Sequence, residues 1–323
     1  MKTVLVTGAT GFLGEYIVQE FSKKGYRVIA AGRNKQKLSK FRKAGILTFA
    51  GDLANLGKVS DKIDIVVHAA ARSPVWGSWK DFYADNVQGT QHVVDFCRAI
   101  GVKRLVFVSS PSVYSRTGDR LKIKEPEVDR RNNLNNYIRS KIAAEQVVMG
   151  CARDIEVVIL RPRGIIGVGD TSIVPRLLAA NASFGIPLFR DGTNKVDLTC
   201  VENVALACRL AAESPRAVGK TYNITNGEPR PFKAIVKQLF EGLGITPRFR
   251  HRNVHVVYRV AVIIELIYRL LRITKEPPIT RYTVCTLGYS QTLDISRAKR
   301  DLGYVPKVSL DTGIHQYVAA NKL

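Results

Sequence analysis

The sequence predicts an α/β protein, a doubly wound parallel sheet of about seven strands with a smaller, discontinuous C-terminal lobe. Three observations carry that prediction. Short apolar runs alternate with helix-length amphipathic stretches through the first two thirds of the chain. The first run, Val4-Leu5-Val6-Thr7, passes directly into Gly8-Ala9-Thr10-Gly11-Phe12-Leu13-Gly14. Beyond Leu160 the alternation loosens. Such a pattern places helices on both faces of one sheet, whose ligands bind at the carboxyl ends of its strands.

The strand candidates are Lys2–Thr7, Arg27–Ala31, Leu47–Ala50, Ile65–His68, Arg104–Ser109, Glu156–Leu160 and Thr221–Ile224. Residues 1–162 are expected to form the dinucleotide-binding domain, with 191–225 returning to it; 163–190 and 226–323 are expected to form the substrate lobe. After the first strand, Gly8 allows a sharp turn, Gly11 admits a pyrophosphate close to the backbone, and Gly14 lets the next helix pack on the sheet. The free N–H groups opening that helix then face the phosphates. An enzyme that uses NAD(H) places an acid at the end of the second strand, about 20 residues past the glycines. Here Gly32-Arg33 occupies that place. No carboxylate repels a 2′-phosphate, and Arg33 and Lys37 can bind one, so NADP(H) is expected over NAD(H).

Composition narrows the class without fixing it. The chain has 323 residues, 46% hydrophobic and 24% charged, enough for one extended domain and a lobe. Its five cysteines, Cys97, Cys151, Cys200, Cys208 and Cys285, lack metal-type spacing and fit a reducing compartment. Met1-Lys2 leads straight into the first strand, so no signal peptide is expected and the location is read as cytoplasmic. The formal net charge of +23 implies attraction to anionic surfaces. The basic residues are dispersed, without a block of like charges, so no specific nucleic-acid site is expected.

Proton chemistry enters with Tyr137-Ile-Arg-Ser-Lys141, the one Y-x-x-x-K in the chain, downstream of Ser109-Ser110 at a strand end. Four residues apart on a helix, Tyr137 and Lys141 share a face. An adjacent ammonium and a nicotinamide cation are expected to stabilise the phenolate and lower the phenol's pKa. Tyr137 then gives a proton to a carbonyl oxygen, Ser110 fixes that oxygen by a hydrogen bond, and the cofactor supplies hydride. Catalytic Ser110, Tyr137 and Lys141 follow, with no metal.

These motifs, with Gly51-Asp-Leu53, His68-Ala-Ala-Ala71, Asn86-Val-Gln-Gly-Thr90, Val108-Ser-Ser-Pro-Ser-Val-Tyr114 and Leu160-Arg-Pro162, resemble the extended short-chain dehydrogenase/reductase superfamily. Cys200-Val-Glu-Asn-Val-Ala205, Tyr222-Asn-Ile-Thr225, Pro278-Ile-Thr-Arg281 and Asp294 to Tyr304 resemble its 3β-hydroxysteroid dehydrogenase branch, which includes sterol-carboxylate dehydrogenases and 2-alkyl-3-oxoalkanoate reductases. The resemblance implies that Gly8, Gly11, Phe12, Leu13 and Gly14 bind pyrophosphate and that Asp52 and Leu53 flank adenine. It also implies that Ala69, Ala70 and Ala71 line the nicotinamide side and that Lys141 holds the nicotinamide ribose. Asn86 is implied to serve a helix and water network, and a homodimer to form through the helices flanking Asn86 and Tyr137.

The substrate is expected to be hydrophobic. Residues 254–273 are strongly apolar, with Tyr258, Glu265, Arg269 and Arg272 on one side at helical spacing. Glu265 is too central for a bilayer span, so an amphipathic helix is expected, packed in the lobe or in peripheral contact with an anionic membrane. Trp76, Trp79 and Phe82 add apolar surface, and Arg72, Arg116 and Arg163 are candidates to pair with a substrate carboxylate. The favoured reading is reduction of a long-chain 2-alkyl-3-oxo acid. A 3β-hydroxysteroid or sterol-carboxylate dehydrogenase, a sugar-nucleotide epimerase or dehydratase, and a non-catalytic dinucleotide-binding module are the alternatives.

Overall fold

Seven parallel strands form the central sheet of a computed structural model that describes residues 1–322. They are β1 (Thr3–Thr7), β2 (Arg27–Gly32), β3 (Leu47–Ala50), β4 (Ile65–His68), β5 (Arg104–Val108), β6 (Glu156–Pro162) and β7 (Lys220–Ile224). In space they run β7-β6-β5-β4-β1-β2-β3. Each strand predicted from sequence is present, shifted by at most two residues at an end. The reason is burial on both faces: every residue of β1, β4 and β5 is buried, so these strands read as unbroken apolar runs.

Side-chain alternation then builds two apolar clusters. Val4 and Val6 point to one face with Ile17, Val18 and Phe21 of α1 (Phe12–Lys23). Leu5 points to the other with Ile29, Val66, Val93 and Phe96. α2 (Lys35–Lys43) follows β2. α3 is a composite helix, Trp79–Phe82, a π turn over Tyr83–Gln88, then Gly89–Ala99. α4 (Asn136–Gly150) lies against it, its first turn capped by the Asn135 side chain accepting from Ile138 N at 2.8 Å.

Outside the sheet are α5 (Ile173–Ala182), α6 (Val201–Glu213), α7 (Phe232–Gly242), α8 (Val254–Leu270), α9 (Arg281–Gly288), α10 (Ser296–Leu302) and α11 (Leu310–Asn321). Ile166, Ile186, Leu188, Phe232, Leu239 and Phe240 form a separate core there. Arg120–Ile123, Lys195–Val196, Arg230–Pro231 and Gln291–Leu293 pair into a four-stranded sheet. Ile295, Ala298, Leu302 and Tyr304 instead pack into the cluster on the α1 face of the large sheet.

Register positions the site. Thr7 pairs with Ala31 and His68, Gly32 with Ala50, His68 with Phe107, and Val108 with Leu160. Because these parallel strands end level, Gly8, Arg33, Gly51, Ala69 and Ser109 leave one common edge.

Candidate active site

Backbone demands at that edge explain two of the glycines. Gly8 has φ +70°, and a Cβ there would lie 2.7 Å from Ala70 N. A Cβ on Gly14 would lie 2.0 Å from the Gly8 carbonyl oxygen, so any side chain forces α1 away from β1. Gly11 opens α1 with no side-chain cap, leaving the positive end of the helix for an anion. Phe12 and Leu13 are half-buried, and the Tyr16 hydroxyl donates to Val168 O at 2.9 Å, bringing the 167–169 loop over this helix start. Arg33 is exposed one residue beyond β2 and enters no ion pair among the described residues, whereas Lys37 pairs with Glu15 at 3.5 Å. Asp52 is exposed beyond β3, and Leu53 packs against Gly89. Ala69, Ala70 and Ala71 follow β4 without bulk. A glycine cradle, an uncapped helix start and small side chains along one edge fit a dinucleotide.

Ser110, Tyr137 and Lys141 meet farther along the edge. Ser110 Oγ accepts a hydrogen bond from Ser112 N at 3.2 Å, and Ser110 acts on the Tyr137 phenol to lower its pKa. Lys141, one turn after Tyr137, is buried; its Nζ donates to Val108 O at 2.8 Å and lies 4.4 Å from the Phe107 ring centroid. Burial pulls the Lys141 pKa down to about 8, against the smaller opposing pull of Glu145. Burial also pushes the Tyr137 phenol up to about 12, with the Ser110 hydrogen bond lowering it and Tyr282 raising it. Among this chain's own groups, burial is the largest influence on Tyr137. It outweighs the opposing Ser110 hydrogen bond, and the Lys141 ammonium gives one of its three donors to the Val108 carbonyl. The phenol stands protonated at neutral pH, as a proton donor must.

Partners that the sequence did not reveal hold these groups in place. Glu145, a turn beyond Lys141, accepts from Ser109 Oγ at 2.5 Å and takes both Nε and Nη2 of Arg161, at 2.8 and 2.6 Å. Arg161 also donates to the Tyr114 hydroxyl, which donates to Asn223 Oδ1 at 2.8 Å, so β5, β6, β7 and α4 are tied together beneath the site. Asn86, in the π turn, clasps the backbone of Arg72 at both N (2.6 Å) and O (3.0 Å) and donates to Ser140 Oγ at 2.8 Å. It orders the helix pair, as the family resemblance implied. Phe82 is fully buried beside Tyr137, ring centroids 6.3 Å apart.

Not every candidate reaches the cleft. Arg72 pairs with Asp81 and Asp85 of α3, which removes it as a free carboxylate anchor. Trp79 stacks under Arg139, 3.7 Å from the ring centroid to the guanidinium carbon, and Trp76 donates to Ile273 O at 3.1 Å, tying its loop to the end of α8. Arg116 is exposed. Arg163 is buried and donates to Gln291 Oε1 at 3.0 Å. Burial draws its pKa down, which Tyr282 and Asp197 oppose.

Comparison with known proteins agrees with this arrangement. Residues 4–225 match the NAD dependent epimerase/dehydratase family. The chain is 36% identical to a 2-alkyl-3-oxoalkanoate reductase of Stenotrophomonas maltophilia, over 98% of this chain and 99% of that protein. It is 33% identical to a decarboxylating sterol-4-alpha-carboxylate 3-dehydrogenase of Candida albicans, over 98% and 96%. The solved structure of MoeE5 in complex with UDP-glucose and NAD superposes with a TM-score of 0.76 at 25% identity, over 98% of both chains. The Gly8–Gly14 cradle and the Ser110, Tyr137 and Lys141 cluster thus sit in a chain that belongs to the NAD dependent epimerase/dehydratase family, the extended short-chain dehydrogenase/reductases, and is an NAD(P)-dependent oxidoreductase.

Proposed function

We propose that the protein reduces the 3-carbonyl of a hydrophobic 2-alkyl-3-oxo acid, with NADPH preferred over NADH. The observation that carries this reading is the placement of Tyr137 and the buried Lys141 one turn apart on α4, with Lys141 Nζ bonded to Val108 O at the strand end that leads into Ser110. Bound NADPH would supply hydride to the carbonyl carbon. Tyr137 Oη donates its proton to the carbonyl oxygen, and Ser110 Oγ orients that oxygen through a second hydrogen bond. Lys141 then faces a developing phenolate, so its charge favours the transfer more than it favours the ground state. The cofactor preference rests on the exposed Arg33 where an acid would otherwise bind the ribose hydroxyls.

The substrate class rests on a shared feature of the relatives' names. Both a 2-alkyl-3-oxoalkanoate and a sterol-4-carboxylate oxidised at carbon 3 carry a carboxylate two carbons from the reacting centre. The buried Arg163, which follows the end of β6, is the arginine we infer to pair with that group. A sterol-carboxylate dehydrogenase is the second reading, favoured by the same carboxylate geometry. A panel of 2-alkyl-3-oxo acids, 3-oxosterols with and without a 4-carboxylate, and sugar nucleotides, each assayed with NADPH and NADH, separates the readings. Turnover of the open-chain oxo acids with NADPH is expected; turnover confined to sugar nucleotides would reject the proposal.

A further inference from the structure

The outward side of α8 carries an apolar stripe, although its inward side already buries Val254 and Ala261 against the lobe and pairs Glu265 there. Nineteen large apolar side chains are exposed across the described residues, and eight of them fall between Val256 and Leu271. That concentration exceeds the scattered exposure of a soluble surface. Val256, Val260, Ile263, Leu266, Ile267 and Leu270 recur at steps of three and four, or adjoin one another, along one side. Leu270 is 72% exposed.

Polar contacts fix the opposite side to the protein. Glu265 is buried and accepts from Arg281 N at 2.7 Å and Arg281 Nε at 2.9 Å. Tyr268 packs edge-on against Trp76. Rolling the helix to hide its apolar stripe would expose these contacts and unpair a buried carboxylate, so the stripe remains outward.

Charge selects the occupant. His255 and Arg259 are exposed on the N-terminal half of the stripe, Arg252 precedes it, and Arg272 and Lys275 follow it. His255, Tyr258, Arg259 and Tyr289 also line an open concavity of about 410 Å³ at that end. A second copy docking across a twofold axis would set this basic rim against itself. An anionic bilayer complements both the stripe and its rim. α8 has 17 residues, about 25 Å of helix. No helix among the described residues is long and apolar enough to cross a membrane, so the fitting geometry is a helix lying in the interface.

We propose that α8 docks the protein onto an anionic lipid surface, its apolar stripe among the acyl chains and Arg259, Arg272 and Lys275 on headgroup phosphates. This goes beyond the proposed reaction and does not depend on it. It places the bilayer close to the site, because Glu265 holds Arg281, and the adjoining Tyr282 packs on the cluster of Ile138 and Ile142 in the helix that carries Tyr137. An apolar substrate can then enter from lipid without crossing water.

Co-sedimentation tests it, using vesicles of phosphatidylcholine alone and of phosphatidylcholine mixed with phosphatidylglycerol, with no turnover required. The mixed vesicles are expected to bind the protein, the neutral ones to bind it weakly, and added salt to release it. Leu266→Asp with Leu270→Asp should lower binding at least tenfold, by the order of magnitude expected for losing two buried leucines. Arg259→Glu with Lys275→Glu should lower it about tenfold and flatten the salt dependence. These positions are exposed, so unchanged NADPH affinity and circular dichroism verify the fold. No binding to mixed vesicles, equal binding to neutral ones, or binding indifferent to the leucine variants would overturn the proposal. A solution dimer that the leucine variants dissociate, without vesicle binding, would assign the stripe to a second copy instead.

Discussion

Tyr137 and Lys141 show why stability and function diverge at single residues. Lys141 is buried without a dedicated carboxylate, and burial takes its pKa from 10.5 to about 8. Between those values the unfolded chain holds more protons than the folded one, so stability rises as pH climbs from about 8 and is depressed below it. Lys141→Met is therefore expected to raise unfolding free energy at pH 7 by about 2 kcal/mol while abolishing turnover. Chemical denaturation checks this, and a destabilised variant would show that the ammonium is structurally required. For the native protein, reductive turnover should fall as pH rises through about 8, where Lys141 loses its charge; a flat profile from pH 7 to 9.5 would remove it from the proton-transfer step. Arg33→Asp should shift the NADPH-to-NADH preference by about tenfold to a hundredfold toward NADH through the loss of a charge-assisted phosphate contact. An unchanged ratio of kcat/KM values would remove Arg33 from cofactor selection.

Elements hold these residues by contacts of very different legibility. The start of α1 was readable because its glycines have no substitute: Gly14→Ala pushes a methyl against the Gly8 carbonyl and should cost about 2–3 kcal/mol, with loss of NADPH binding measured by fluorescence titration. Ser110, Tyr137 and Lys141 were readable because one lies at a strand end and the others are a helical turn apart. The tie through Glu145 and Arg161 was not, since it joins residues 109, 145 and 161 by geometry that no local pattern records. Glu145→Gln leaves Arg161 buried without its counter-charge and should destabilise the protein by about 3 kcal/mol; denaturation showing a loss below 1 kcal/mol would contradict that role. The ion pairs of Arg72 were hidden for a related reason. Its partners Asp81 and Asp85 are near in sequence, but only the path of the loop into α3 turns them toward it. In α8, apolar residues fall on both the buried and the exposed sides, so periodicity does not say which side meets the protein. The pairing of Glu265 with Arg281 decides that.

At the scale of the molecule, burial on both faces made the seven-stranded sheet visible as apolar runs, and level strand ends gathered the site on one edge. The four-stranded sheet outside it was invisible in sequence, because three of its strands have only two or three residues and the fourth, Arg120–Ile123, is largely exposed and reads as no apolar run. What the molecule does with that edge rests on Tyr137 delivering a proton to a carbonyl oxygen beside bound NADPH. The most direct measurement is single-turnover reduction of a 2-alkyl-3-oxo acid by Tyr137→Phe, with NADPH affinity titrated in parallel. The account predicts a rate lower by about a thousandfold with affinity within a few-fold of the native value. A variant that keeps its rate, or loses NADPH affinity to the same extent, would contradict it.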